Sequence, residues 1–516
     1  MSERRGSYWS QRAPESDRFL IDFALREHAR RRGDHVALIV REQRVSYREL
    51  DALADRWAAL FVERGVARGD RVVVALDNSL EVVVSFYGAL RADAIPCIVG
   101  AGKRARRITR IIALAEPRAV VVAAQLAASV REALPQGASA IVVDGEASDP
   151  LAAIAVEAAR SERRSIELDV ATICWTSGST GEPKGVMLKH QNLRNSTAAI
   201  ATYLEHDERD VVLCVLPLSH TYGLFQMLVT FGSGGTLVLE RGFAMAFPLV
   251  KRLAELNVTG FAGVPTIYAA ILALRGLEDY PLPSLRYLTN AAYALPASHL
   301  MRINELWQKA RFFAMYGQTE CTRVCYLPPQ QALQKPSSVG IPMPNVEVWI
   351  EKPDGSRAGP GETGELVVRG PNVMRGYFRD PEATARALRP GPIPGELVLH
   401  TGDLFRTDED GYLYFVARSD DVIKTRGEKV APREVEQAIC TLSGVLEAAV
   451  LGVPDPVHGV GVKAVVVRVP GTNVSADDVK RAVFAELDEV AVPRIVEFVD
   501  SLPKTESGKL LRSELH

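Results

Sequence analysis

The sequence predicts an α/β protein. A large N-terminal domain of parallel βαβ-type sheets, with a small antiparallel, barrel-like part, is followed by a small C-terminal α+β domain. Three observations carry this. The chain has 516 residues, more than one ordinary core accommodates. Its first 170 residues alternate short β-branched runs with longer amphipathic patterns, the signature of βαβ units. From about residue 337 glycine and proline crowd between short strand-like runs, which marks antiparallel structure.

RVVVAL (71–76), AIPCIV (94–99), AVVVAA (119–124) and SAIVVD (139–144) read as buried strands, with helical patterns such as YRELDALADRWAALFVERG (47–65) between them. The alternation resumes in VVLCVLPL (211–218), TLVLE (236–240) and RYLTNA (286–291). VEVWIE (346–351) and GELVVRG (364–370) belong to the antiparallel part. Beyond YLYFVARSDDVIKTRG (412–427) comes a compact unit containing REVEQAICTL, EAAVLGV, KAVVVRV and DDVKRAVFAEL. The expected domains are 1–418 and 419–516, divided near Ser419. There are no internal repeats and no low-complexity segment.

The composition is that of a globular protein, 47% hydrophobic and 24% charged, with 61 basic and 63 acidic side chains and a net charge of −2. This balance supplies no bulk attraction to nucleic acid or to an anionic membrane. No apolar run approaches the roughly 20 residues of a membrane span, and the first 20 residues lack a signal-type apolar stretch. Six cysteines are scattered at 97, 174, 214, 321, 325 and 440. Neither a CxxC pair nor a disulfide framework is present, so reduced thiols and a cytoplasmic location are expected.

WTSGSTGEPKGV (175–186) carries the chemistry. From Thr176 to Gly185 it holds hydroxyls, glycines and a single cation, Lys184. VATIC ahead of it reads as a strand. HQNLRNSTAAIATYL behind it reads as a helix, with Leu193, Thr197, Ile200 and Leu204 on one face. The loop is therefore expected to join a strand to a helix. Glycines let backbone N–H groups converge on an anion, and Thr176, Ser177, Ser179, Thr180 and Lys184 add donors and charge. A polyphosphate suits such a set better than a flexible linker does. The spacing differs from that of the Walker loop.

TSGSTGEPKG resembles the phosphate-loop signature of the adenylate-forming superfamily, which includes acyl- and aryl-CoA ligases, peptide-synthetase adenylation domains and luciferases. Four further segments match that family in order: YGQTE (316–320), HTGDLFRTDEDGYLYFVAR (400–418), DDVIKTRGEKVAPREVE (420–436) and PKTESGKLLR (503–512). The resemblance extends from about SYREL (46–50) to the end of the chain.

It implies ATP-dependent activation of a carboxylate to an acyl-adenylate with release of pyrophosphate, then transfer to the thiol of CoA or of a carrier protein's phosphopantetheine. Negative charge attacks negative charge in the first step, so the site must neutralise and align. The resemblance implies that Thr176, Ser177, Gly178, Ser179, Thr180 and Lys184 hold phosphates. It implies that Ala291, Ala292, Tyr316 and Gly317 lie on the adenine side, and that Thr319 meets phosphate. Glu320 is implied as the Mg²⁺ ligand, a hard oxygen donor for a hard cation. Asp403 would take the ribose hydroxyls, with Arg418 on ribose or phosphate. Lys509, with Glu320 and His220, makes up the catalytic set. Asp420 matches the hinge of a mobile C-terminal domain, and Gly427 the thiol side, where glycine lets a pantetheine arm pass close to backbone.

Three positions depart from the family pattern. Trp175 stands where tyrosine is usual, NAAYAL (290–295) replaces a glycine-rich adenine segment, and GAGKRARRITR (100–110) is unusually basic. That basic stretch either faces the phosphates of CoA or an acidic carrier, or is a solvated helix start. For the acid, LPLSHTYGLFQ (216–226) has no acidic residue to pair with an α-ammonium group, which argues against amino acids. His220, Thr221, Tyr222, Phe225, Met315 and Val324 are the expected acyl-pocket positions. They favour a benzoate- or anthranilate-like acid, or a short to medium acyl chain. Arg323 is expected either to meet a polar ring substituent or to form an outward salt bridge. Two rival readings are a stand-alone adenylation enzyme loading a separate carrier protein and a non-catalytic nucleotide-binding protein on this fold.

Overall fold

The computed structural model describes residues 16–100, 105–143, 163–177, 182–291, 295–419, 421–425, 428–455, 459–504 and 510–515. Among them, the largest sheet has nine strands. Its parallel centre runs Val36–Val40, Thr236–Leu239, Val211–Cys214, Gly260–Gly263, Tyr287–Asn290 and Arg311–Tyr316. Antiparallel strands close both edges, Gln43–Ser46 on one side and Cys325–Tyr326 with Ile341–Pro342 on the other. A second, wholly parallel sheet is ordered Ile95–Ile98, Arg71–Ala75, Ala119–Ala123, Ser139–Val143. Both of its faces are covered. Val72, Val74 and Val121 pack into the main core, and Val73, Val120 and Val122 into a second core with Ile108, Ile111 and Ile112 of the helix Ala105–Ala115. Continuous apolar runs follow from burial on both faces.

The antiparallel part expected after residue 337 is a sheet of Glu347–Glu351, Gly364–Arg369, Leu397–Thr407, Leu388–Pro390 and Leu413–Arg418. From Ile423 onward the apolar residues pack into two clusters of their own. These lie around the sheet Val445–Asp455, Gly459–Arg468, Ile495–Val499 and the helices Pro432–Ile439 and Ala476–Glu486. No helix among the described residues is long and apolar enough to cross a membrane. All six cysteines are free thiols, and all but Cys440 are buried.

One expectation is corrected. The glycine-rich loop does not lead from a strand into a helix: it joins two antiparallel strands, Val170–Ser177 and Pro183–Lys189. Residues 175–177 continue the first strand and Lys184 already lies in the second, opposite Thr176. The alternation of buried Val186 and Leu188 with partly exposed Met187 and Lys189 is the period-2 signal of a strand, masked in sequence by the glycines before it. The helix His190–Leu204 starts only after this hairpin, with Leu193, Thr197, Ile200 and Leu204 buried as expected.

His190, the first residue of that helix, is buried, and its Nδ1 accepts from the backbone N–H of Ile21 (3.2 Å). Beside it Asp22 pairs with Arg163 (2.8 Å). Burial pushes the His190 imidazole down to about 4, against the pull of Asp22. A depressed histidine is neutral in the fold and protonates more readily unfolded, so its contribution is present above about pH 6.5 and is lost as pH falls towards 4. The melting temperature is therefore expected to drop across this window, with a contribution of about 3 kcal/mol from His190. In His190→Gln this part of the pH dependence should be missing from melts recorded between pH 7 and 4.

Candidate active site

The strand Arg311–Tyr316 ends the parallel run of the main sheet, and the chain then turns sharply through Gly317 into the short helical turn Thr319–Cys321. Gly317 is required there: a Cβ would lie 2.4 Å from the Thr322 carbonyl oxygen. Side chains of this turn reach in two directions. Toward the antiparallel sheet, the Tyr316 hydroxyl and the Gln318 amide each donate to Asp403 Oδ2 at 2.7 Å. Arg418, directly opposite Asp403 in the ladder, brings Nη1 to 3.6 Å from Oδ1. Oδ1 is buried and accepts no hydrogen bond among the described residues. Burial pushes the Asp403 carboxyl above the usual range, opposed by Arg418 and by the two donors on Oδ2. A buried carboxylate oxygen beside a cation, still lacking donors, has the capacity to accept further hydrogen bonds.

In the other direction, Glu320 Oε1 accepts from the Tyr377 hydroxyl at 2.8 Å. Tyr377 sits in the short strand Gly376–Tyr377, paired against Met187 and Val186 of the glycine-loop hairpin. Lys184 from that hairpin places Nζ 5.3 Å from the centroid of the Tyr377 ring. Lys184 of the glycine-rich hairpin and the Glu320 carboxylate thus meet at one tyrosine. Sequence reading missed Tyr377, although RGYFRDPEAT announces a helix start, with Asp380 capping the helix Pro381–Ala387. It also missed Gln318, Asn192 and Asn372. Asn192 donates to the carbonyls of Pro371 and Val373, and Asn372 donates to those of Cys321 and Arg323. These amides pin the segment 371–373 against the turn. Tyr377→Phe removes only the hydroxyl, and the expected result is a fall of about tenfold in kcat/KM for acid-dependent pyrophosphate release, with a stability change of about 1 kcal/mol, read from kinetics and melting together.

Of the other expected residues, Thr176 hydrogen-bonds the Lys184 carbonyl (3.4 Å), and Trp175 is buried over Gly185. Ala291 is buried immediately after the strand Tyr287–Asn290. Tyr316 packs edge-on to Phe405. His220 occupies the N-cap position of the helix Thr221–Ser233, without a side-chain capping bond, and Thr221 begins the helix. The Tyr222 hydroxyl bonds Thr289 Oγ1 (2.7 Å). Phe225, Met315 and Val324 are all buried in the main core. Arg323 makes no salt bridge among the described residues: it is buried, with its guanidinium over the Tyr222 ring. Of the basic stretch, residues 105–110 lie in the helix Ala105–Ala115, where Arg110 pairs with Glu182 (2.9 Å); Lys103 and Arg104 lie outside the described residues. Gly178, Ser179, Thr180, Ala292, Asp420, Gly427 and Lys509 lie outside the described residues, as does the Ser177 side chain.

A hairpin, a turn and a sheet edge are brought together at this candidate site. The chain belongs to the AMP-binding enzyme family, whose model matches residues 25–378; the C-terminal domain model of the same enzymes matches residues 434–509. Its fold and motifs are those of an AMP-forming acid–thiol ligase. Among curated proteins it is 39% identical to a feruloyl-CoA synthase of Amycolatopsis over 67% of this chain and 69% of that one. It is 30% identical to a long-chain-fatty-acid–CoA ligase of Bacillus subtilis over 95% and 93%. Among solved structures, a benzoate CoA ligase from Burkholderia xenovorans superposes with TM-score 0.86 at 27% identity, covering 96% of this chain and 99% of that one.

Proposed function

We propose that this chain condenses a carboxylic acid with ATP to an acyl-adenylate, releasing pyrophosphate, and then passes the acyl group to CoA with release of AMP. The acid favoured is an aryl acid. The observation that carries the reading is the turn 316–320. One side of it holds Asp403 through Tyr316 and Gln318, and the other brings Glu320 to Tyr377 and Lys184. A nucleotide fits that arrangement, with ribose hydroxyls supplying the donors that Asp403 Oδ1 lacks and the triphosphate lying toward Lys184 and the glycine-rich loop. Glu320 Oε2 accepts no hydrogen bond from the described residues and would hold Mg²⁺ together with phosphate oxygens. The metal would neutralise charge on the phosphates.

The aryl preference draws on the aromatic surroundings of the expected acyl pocket. Tyr222 lies across it, and Tyr203 stacks on Tyr326 at 4.2 Å. Several relatives also act, by their names, on aryl acids. Residues 419–516 form the proposed mobile unit, pivoting at Asp420. Its separate cores and its contact through Arg433 over the Phe415 ring are compatible with a rigid-body swing that withdraws Lys509 and brings in Gly427.

Pyrophosphate release with ATP and magnesium, across aryl, fatty and amino acids and with or without CoA, tests the proposal. Multiple turnovers giving a thioester only when CoA is added support it. Release that stalls near one equivalent in both cases would point to a carrier protein as the acceptor. Tyr222→Ala and Phe225→Ala should each reorder the acids; an unchanged ranking in both would misplace the pocket.

A further inference from the structure

Arg323 lies three residues beyond Glu320, just after Thr322, whose φ of +56° breaks the helical turn. The segment is held firmly. The Thr322 hydroxyl bonds Ser196 Oγ at 2.7 Å, and Asn372 grips the carbonyls on either side of Thr322. This delivers Arg323 to the interior, where it is only 5% exposed. Its guanidinium stands 5.1 Å from the Tyr222 ring centroid. Around it are the Tyr203 phenol, which is hydrogen-bonded to Met315 Sδ (3.1 Å), and the buried thiols of Cys321 and Cys325. Burial raises both thiols, so they remain neutral. Among the described residues no carboxylate pairs with Arg323, and its Nε makes no hydrogen bond. The adjacent acid, Glu320, is bonded to Tyr377 instead.

A guanidinium cannot shed its proton to escape burial, and a buried charge is costly until an opposite charge joins it. Among the described residues the other two buried arginines each have a carboxylate: Arg91 has Asp51 and Asp55, and Arg163 has Asp22. Arg323 has aromatic rings and thiols, and it projects among the residues expected to wall the acyl pocket, Tyr222, Met315 and Val324. We propose that Arg323 is a specificity-determining residue that receives an anionic oxygen at the far end of the acid. The preferred substrates would then carry a second carboxylate or a phenolic oxygen remote from the reacting carboxylate. A forked guanidinium engages a carboxylate with two parallel hydrogen bonds and a phenolic oxygen with converging ones. The inference rests on the adenylation reading and deepens it.

The test uses acids in matched sets: benzoate, 4-hydroxybenzoate and terephthalate; cinnamate, 4-hydroxycinnamate and 4-carboxycinnamate; hexanoate and adipate. Acid-dependent pyrophosphate release is measured for the parent, Arg323→Met and Arg323→Lys, with melting curves for each. The parent should favour the oxygen-bearing member of a set by about 10²-fold in kcat/KM. Arg323→Met should collapse that ratio to near one while melting no lower than the parent, since an unpaired buried charge has been removed. Arg323→Lys should keep part of the ratio. Whether the hydroxy or the carboxy member leads identifies the oxyanion. The inference is overturned if the parent releases pyrophosphate yet prefers the unsubstituted acids, if Arg323→Met keeps the parental ratio, or if Arg323→Met melts far below the parent, which would make the arginine structural. No release from any acid by the parent would instead defeat the adenylation reading on which it stands.

Discussion

Asp403→Ala is expected to lower kcat/KM for acid-dependent pyrophosphate release by about 10²- to 10³-fold, through loss of charge-assisted hydrogen bonds made in a water-poor site. The carboxylate does two jobs in the proposed site. Oδ1 takes the ribose hydroxyls, and Oδ2 fixes Tyr316 and Gln318 at 2.7 Å each. Removing it deprives the part-buried Tyr316 hydroxyl and one Gln318 N–H of their acceptor, so a stability loss of about 2 kcal/mol accompanies the kinetic effect. Asp403→Asn keeps the shape and separates the two jobs. Its melting temperature should return most of the way to that of the parent while nucleotide affinity stays weak, because an amide offers one acceptor where the carboxylate offers two. Steady-state kinetics against ATP and melting curves with and without AMP check both variants. Equal AMP-induced stabilisation in the parent and in Asp403→Ala would remove Asp403 from the nucleotide site.

Lys509→Ala is expected to divide the reaction. Adenylation should fall by about 10³-fold, because the cation proposed to bridge the carboxylate and the α-phosphate stabilises charge only while that bond forms. Thioester formation from acyl-adenylate supplied ready-made should fall far less, since in the proposed rotation the C-terminal unit has by then carried Lys509 away. Single-turnover assays of each half-reaction check this. Equal losses in the two halves would contradict the proposed rotation and leave Lys509 with a structural role or with none.

Much of the architecture was legible because the signals were local and repeated. The valine runs at 71–76 and 119–124 could be read as strands of a doubly covered sheet, since nothing else tolerates such continuous burial. The segments YGQTE and HTGD pointed to two halves of the candidate site, but their partnership is a matter of tertiary structure. The pairing of Asp403 with Arg418 arises from ladder register, and its bonds to Tyr316 and Gln318 span 85 to 87 residues of sequence. Tyr377 is 57 residues from Glu320 and carried no spacing cue toward it. The hairpin error at 175–189 had a different origin. Glycine, proline and serine there indicate a loop by composition, while pairing with Val170–Ser177 decides that the flanks are strands, a non-local choice that overrides local preference. Arg323 shows the limit most plainly. A surface ion pair is the ordinary fate of an arginine, and only the backbone turn at Thr322 sends this one inward.

The central claim is that a carboxylate oxygen of the acid attacks the α-phosphate of ATP at the site built around residues 316–320. It is tested most directly by running the full reaction with the best acid of the panel labelled with ¹⁸O in its carboxylate, and weighing the products. The account predicts one labelled oxygen in AMP and none in pyrophosphate, with the label in AMP lost in proportion to turnover in Asp403→Ala. Thioester formed with unlabelled AMP, or label recovered in inorganic phosphate beside ADP, would contradict it.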